Sequence, residues 1–176
     1  MSYSLQLQKE SSELPVDLDL IRKHFNIPPQ QNDEYIEKIL RIAISQAETY
    51  TDRSIVQKTW CYINKQIKVY LPKSPITNII SVETCNSNSS NFRATKFFDQ
   101  IIHTDYRTII LDKRFLNKKI RITYDAGFTK ETLPQSILQY IFQQFDVIYS
   151  GTTVIEDQIK YNSVLLNSYK SMSNKF

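Results

Sequence analysis

The chain has 176 residues, 41% of them hydrophobic and 23% charged, with a net charge of +4. These proportions suit a soluble globular protein with one sizeable core, and so mild a charge does not by itself imply a nucleic-acid partner. No run approaches the roughly 18 apolar residues of a membrane span, and Met1 to Glu13 is polar, without an apolar signal core, so a cytoplasmic protein with no membrane partner is expected.

Residues 1–15 read as a flexible N-terminus. A short helix then fits Asp17 to Phe25, with Asp17 as its cap and Val16 packing on Ile21 as a hydrophobic staple. Asn26 and the pair Pro28-Pro29 stop it. A second helix is predicted from about Asn32 to Thr51. Asn32 or Asp33 caps it, acids fill its first turn, and Ile36, Ile39, Leu40, Ala43, Ala47 and Tyr50 fall on one stripe.

The middle of the chain, 58–124, is β-rich. Short runs of β-branched and aromatic residues predict strands at Lys58–Ile63, Ile67–Leu71, Ile79–Thr84, Thr108–Leu111 and Lys119–Tyr124. Trp60 reads as a core anchor. Cys85–Ser90, almost all Asn and Ser, reads as a loop or hairpin tip. Phe92 to Asp105 gives no clear pattern.

The chain holds only two glycines. One of them, Gly127, follows the last strand and precedes Leu133-Pro134 and a long apolar run. This is the pattern of a strand ending in a turn with positive φ, then a helix opened by proline. The third helix is expected over Pro134 to Tyr149, stopped by Ser150-Gly151. It is apolar on two faces: Ile137, Ile141, Phe145 and Ile148 on one, Leu138, Phe142 and Tyr149 on the other. Such a helix is sandwiched, either within its own domain or between subunits. A fourth helix, about Asp157 to Lys170, would be amphipathic and dock on its own domain or in a partner's groove. The expected class is therefore α+β: a mainly helical core of about four helices, with a small antiparallel sheet inserted between the second and third. One domain would span 16–151, and 152–176 would form a C-terminal helix and tail.

Charge is unevenly spread. Arg107 to Arg121 holds six basic residues and one acid, a net +5 against +4 for the whole chain. Such a cluster is either a solvated face or a positive surface for a polyanion or acidic partner.

Recognisable chemistry is missing. Two glycines cannot build a phosphate loop, and His24 and His103 lack partners at ligand spacing. There is no Gly-x-Ser-x-Gly elbow. Cys61 and Cys85 lie outside metal spacing and read as simple thiols. Neither an enzyme nor a cofactor or metal site is expected.

Several segments, in order, resemble a known family. They are Glu48-Thr49-Tyr50-Thr51-Asp52-Arg53, Gln57-Lys58-Thr59-Trp60, Leu71-Pro72-Lys73-Ser74-Pro75-Ile76, Ile122-Thr123-Tyr124-Asp125-Ala126-Gly127-Phe128, Leu133-Pro134 and Leu165-Leu166-Asn167-Ser168-Tyr169-Lys170. Their sequence and spacing resemble the head–tail connector (adaptor, or head-completion) proteins of long-tailed phages, prophages and gene transfer agents. The resemblance runs from about residue 16 to 170. Asp125 stands where a small polar residue is commoner, Lys170 replaces Arg, and 85–105 matches nothing in the pattern.

The resemblance implies a structural role: a ring, typically of twelve subunits, beneath the portal. The ring would extend the DNA channel and receive the next tail-joining (stopper) protein. It implies residence in a virion or phage-like particle, with assembly in host cytoplasm. Portal docking would fall to the C-terminal helix through Tyr161, Leu165, Leu166, Tyr169 and Lys170. Ring contacts, by nature heterologous, would involve Ile137, Ile141, Phe142, Phe145 and Ile148. Arg107, Lys113, Arg114, Lys118 and Lys119 would face the channel and touch passing DNA transiently. Gly127 and Pro134 would be structural. The alternative is a nucleic-acid-binding module that interleaves Tyr62, Tyr70, Tyr106 and Tyr124 with basic residues.

Overall fold

The computed structural model describes residues 3–86, 89–102, 107–151 and 164–170. They divide into two compact units where the sequence suggests one domain. One unit is Gln57–Gly127 with the N-terminal segment through Ser12. The other is Glu13–Val56 with Phe128–Lys170.

The first unit is all β. Its larger sheet contains β1 (Ser4–Glu10), β2 (Lys58–Asn64), β4 (Ile76–Cys85), β5 (Arg93–Ala94) and β8 (Lys119–Ala126), in the order β1-β2-β8-β4-β5. The smaller contains β3 (Lys68–Tyr70), β6 (Phe98–Ile102) and β7 (Arg107–Leu111), in the order β3-β7-β6. All pairs are antiparallel. Strand β8 shows why: Ile120, Ile122, Tyr124 and Ala126 are buried and alternate with half-buried Lys119, Arg121, Thr123 and Asp125. That two-residue period puts one face into a core shared with Val69, Ile109 and Leu111 of the smaller sheet. The buried Tyr124 hydroxyl donates to the Pro72 carbonyl at 2.8 Å, which meets its need for a partner. Trp60, expected as a core anchor, is only partly buried and packs against this core from outside it.

The second unit contains α1 (Leu18–His24), α2 (Asp33–Thr51) and α3 (Gln135–Ser150). Its core joins Ile21 of α1, Ile36, Leu40 and Ile44 of α2, and Ile137, Ile141 and Phe145 of α3. Val16 and Ile21 both enter it, as the staple requires. Asn32 caps α2, its Oδ1 accepting the Glu34 N–H at 2.8 Å. Asp17 occupies the N-cap position of α1, but its carboxylate binds Lys130 rather than its own helix. Pro134 is the N-cap of α3, and Gly151 ends that helix with φ 64°.

Four expectations need correction. Three α-helices, not four, are present among the described residues. Most of the expected fourth helix lies outside them, and 167–169 is a short 3-10 turn. The N-terminal region is not a loose tail: Ser4–Glu10 pairs with β2 along its length, so backbone hydrogen bonding holds it despite its polar side chains. The sheet is therefore not wholly inserted between the second and third helices, since β1 precedes α1. Nor is the core mainly helical: the β unit has its own.

Gly127 closes β8 with φ 131°, and its N–H bonds the Pro75 carbonyl at 3.0 Å. Side chains rarely tolerate that conformation. Gly127→Val should therefore destabilise the protein by about 1 kcal/mol or more, read as a lowered melting temperature. An unchanged melt would contradict a structural role for this glycine.

Candidate functional site

The sequence ending α2 organises the C-terminal segment. Asp52 adopts a left-handed conformation and stops the helix. Glu48, one turn earlier, turns its carboxylate onto the loop that follows. Its Oε1 accepts the backbone N–H groups of Ile55 at 2.7 Å and Val56 at 3.1 Å. Both residues are buried, so these N–H groups would otherwise lose their water partners. Arg53 is 5% exposed, and its Nε donates to the Tyr169 carbonyl. The Tyr50 hydroxyl lies 2.6 Å from Asn167 Oδ1, while Lys170 Nζ sits 4.3 Å from the centre of the Tyr50 ring. Leu166, fully buried, sinks into the helical core, and Tyr169 packs against it. The segment Val164–Lys170 is thus bound to the helical unit by the Leu166 plug, a hydrogen bond from the Arg53 side chain to its backbone, the Tyr50–Asn167 hydrogen bond and the Lys170–Tyr50 cation–π contact.

What this leaves outward is selective. Val164 is 62% exposed, Leu165 is half-buried and Lys170 is exposed. Of the five residues that the resemblance assigns to docking, Tyr161 lies outside the described residues. Leu166 is an internal anchor: its side chain is enclosed by its own unit.

The five residues assigned to a ring interface divide similarly. Ile137, Ile141 and Phe145 are fully buried within their own unit, where Phe25 stacks on Phe145 at 5.1 Å between ring centres. Phe142 and Ile148 are half-buried, and Phe142 lies 4.5 Å from the His24 ring. Both apolar faces of α3 therefore serve the unit's own packing. More prominent apolar side chains on this unit are Leu20, Tyr35 and Ile42, each more than two-fifths exposed.

The basic residues lie on the β unit. Lys113 and Arg114 fall in a 3-10 turn, capped by Asp112 through the Arg114 N–H. That bond, with the Arg114 side chain, lowers the Asp112 carboxyl pKa. Arg114, Lys118 and Lys119 are at least partly exposed, and Arg107 begins β7. The tyrosines behave otherwise: Tyr62 and Tyr124 are buried and Tyr70 is half-buried, so they do not form a stacking platform. Tyr106 lies outside the described residues. Cys61 and Cys85 are buried free thiols; burial pushes the Cys61 pKa up, with Arg121 partly opposing it.

Among the described residues no group of His, Cys, Asp or Glu could hold a metal ion, and no helix is long and apolar enough to cross a membrane.

Residues 15–109 match the family described as phage gp6-like head-tail connector proteins, and the chain belongs to that family. This is a structural class, not an enzyme class. The fold is similar to a chain in the neck of an empty gene transfer agent (GTA) particle computed with C6 symmetry, at TM-score 0.72 and 13% identity. That match covers 98% of this chain and 96% of the other. A chain from the virion of a native GTA particle is similar at TM-score 0.73 and 15% identity, covering 96% and 95%. A third, from the neck of a native GTA particle computed with C12 symmetry, gives 0.70 and 15%, covering 95% and 96%. No curated protein sequence matches.

Sequence reasoning singled out Glu48–Arg53 by resemblance but gave it no task; the structure shows it holding the 53–56 loop and the C-terminal segment. Glu48→Ala should leave two buried N–H groups without their acceptor and cost about 1.5–3 kcal/mol. Glu48→Gln, which keeps an acceptor oxygen, should cost clearly less. Denaturant unfolding of both variants checks this, and equal losses would contradict it.

Proposed function

We propose that this protein is a head–tail connector that assembles as a ring of twelve subunits beneath the portal of a phage-like particle. The ring extends the DNA channel and receives the stopper protein below. The protein resides in the finished particle and is assembled there from the host cytoplasm. The family match over 15–109, joined to near full-length similarity with neck chains of GTA particles, carries this reading. Neck symmetries of C6 and C12 support a closed ring, in which each subunit meets its neighbour through two different patches.

In this reading the portal contact is made by the outward side of the C-terminal segment. Leu165 supplies an apolar anchor and Lys170 a cation, with Tyr161 and Tyr169 beside them. Leu166 contributes from within, by fixing the segment's position on α2. Ring contacts use Phe142 and Ile148 together with the exposed apolar residues of α1 and α2. The internal packing of Ile137, Ile141 and Phe145 supports the unit that presents them. Arg107, Lys113, Arg114, Lys118 and Lys119 flank the channel. The passing DNA must slide, and a few exposed cations suit that need.

Leu165→Asp combined with Lys170→Glu should weaken capture of the purified portal by roughly tenfold or more, with the fold kept and the melting temperature lowered only by the loss of the Lys170–Tyr50 contact. Undiminished capture by a folded double variant would place the portal contact elsewhere.

A further inference from the structure

The β unit carries a basic cleft, part of it built from 93–97, a stretch with no clear sequence pattern. Four cations line it: Arg93 from edge strand β5, Lys96 from the turn after it, Arg114 from the 3-10 turn, and Lys118 just before β8. The cleft measures about 780 Å³, and its lining includes no carboxylate. Asp112 pairs with Arg114 at 3.1 Å, but Arg93, Lys96 and Lys118 have no ion pair among the described residues. Hydroxyl and amide side chains, among them Asn91 and Thr95, also line the cleft.

The walls are ordered by hydrogen bonds. Thr95 N–H donates to the Val82 carbonyl at 2.9 Å, and Phe97 N–H donates to Thr95 Oγ1 at 3.1 Å. Asp112 N–H donates to the Phe97 carbonyl at 3.2 Å, which ties the Lys96 turn to the Arg114 turn. The Arg114 guanidinium stacks 4.2 Å from the centre of the Phe97 ring, and Phe97 is itself 56% exposed. Asp112 takes the Nε and Nη2 donors of Arg114, so of this guanidinium it is Nη1 that is left for an oxyanion, and the attraction rests mainly on Arg93, Lys96 and Lys118.

We infer that this cleft is a sequence-independent binding site for the phosphate backbone of DNA. Unpaired cations supply attraction to phosphate. Neutral donors bind phosphate oxygens without reading a base edge. The exposed Phe97 face offers a sugar or base an apolar contact that an acidic peptide has less use for. The cleft is complete within one chain, so it does not depend on ring formation or on the portal contact.

The test uses the full-length protein and a fluorescent 20-base-pair duplex, with anisotropy read at several salt concentrations. Neutralising about three phosphates gives a slope of log K against log salt near −3, a loss of about fortyfold between 50 and 200 mM. Arg93→Gln with Lys96→Gln should reduce the slope by about 2 and leave only a three- to fourfold salt effect. Both residues are exposed, so melting should not change. Two competitors identify the ligand chemistry: duplexes of unrelated sequence should displace the probe equally, and polyglutamate of matched charge should displace it poorly. No binding at 50 mM salt, a double variant that keeps the wild-type slope, or polyglutamate competing as well as DNA would each overturn the proposal.

Discussion

The C-terminal end of α2 is the constraint on which the helical unit depends. Within six residues the chain places a carboxylate, a phenol, a left-handed helix stop and a buried guanidinium. Glu48 satisfies the two N–H groups that the 53–56 loop would otherwise bury without partners. Arg53 and Tyr50 reach residues 116 and 117 positions away and fix the C-terminal segment. A buried cation is tolerable only when its donors are used, so that segment also helps meet the cost of enclosing Arg53. Removing either partner exposes the other to a desolvation penalty, which ties the two ends of the unit together.

That arrangement changes how the outer surfaces are understood. An apolar C-terminal motif suggests a free docking helix, yet Leu166 is spent inside the unit and only the outward side of the segment remains for a partner. The same economy applies to α3. Its two apolar faces are both consumed by internal packing, with aromatic contacts from Phe25, Phe142 and Tyr149 filling the second. In the proposed ring, contact would fall to what the core leaves accessible: the outer parts of half-buried Phe142 and Ile148, and Tyr35 and Ile42 on α2.

Much of the architecture was legible because local periodicity and core burial agree. The α2 stripe, the alternation along β8, the positive φ at Gly127 and the glycine stop at Gly151 all follow from residue type and spacing. Strand β1 was not legible, because Ser4–Glu10 is an edge strand whose side chains are mostly exposed, so it lacks an apolar face. At 167–169 the chain forms a 3-10 turn in place of the expected helix, for a different reason. The conformation there is set by Tyr50 and Arg53 across more than a hundred residues, which no helical spacing encodes. Arg93 and Lys96 were missed because β5 is two residues long and gives no strand signal. The aromatic–basic pairs Phe92-Arg93 and Lys96-Phe97 were the available clue.

The central claim is that this chain is a stoichiometric part of a particle's neck. Quantitative mass spectrometry of particles purified from induced producer cells tests it most directly, by reading copies of this protein per copy of portal. The account predicts near-equal numbers of the two proteins. Absence of the chain from intact, tailed particles would contradict the account.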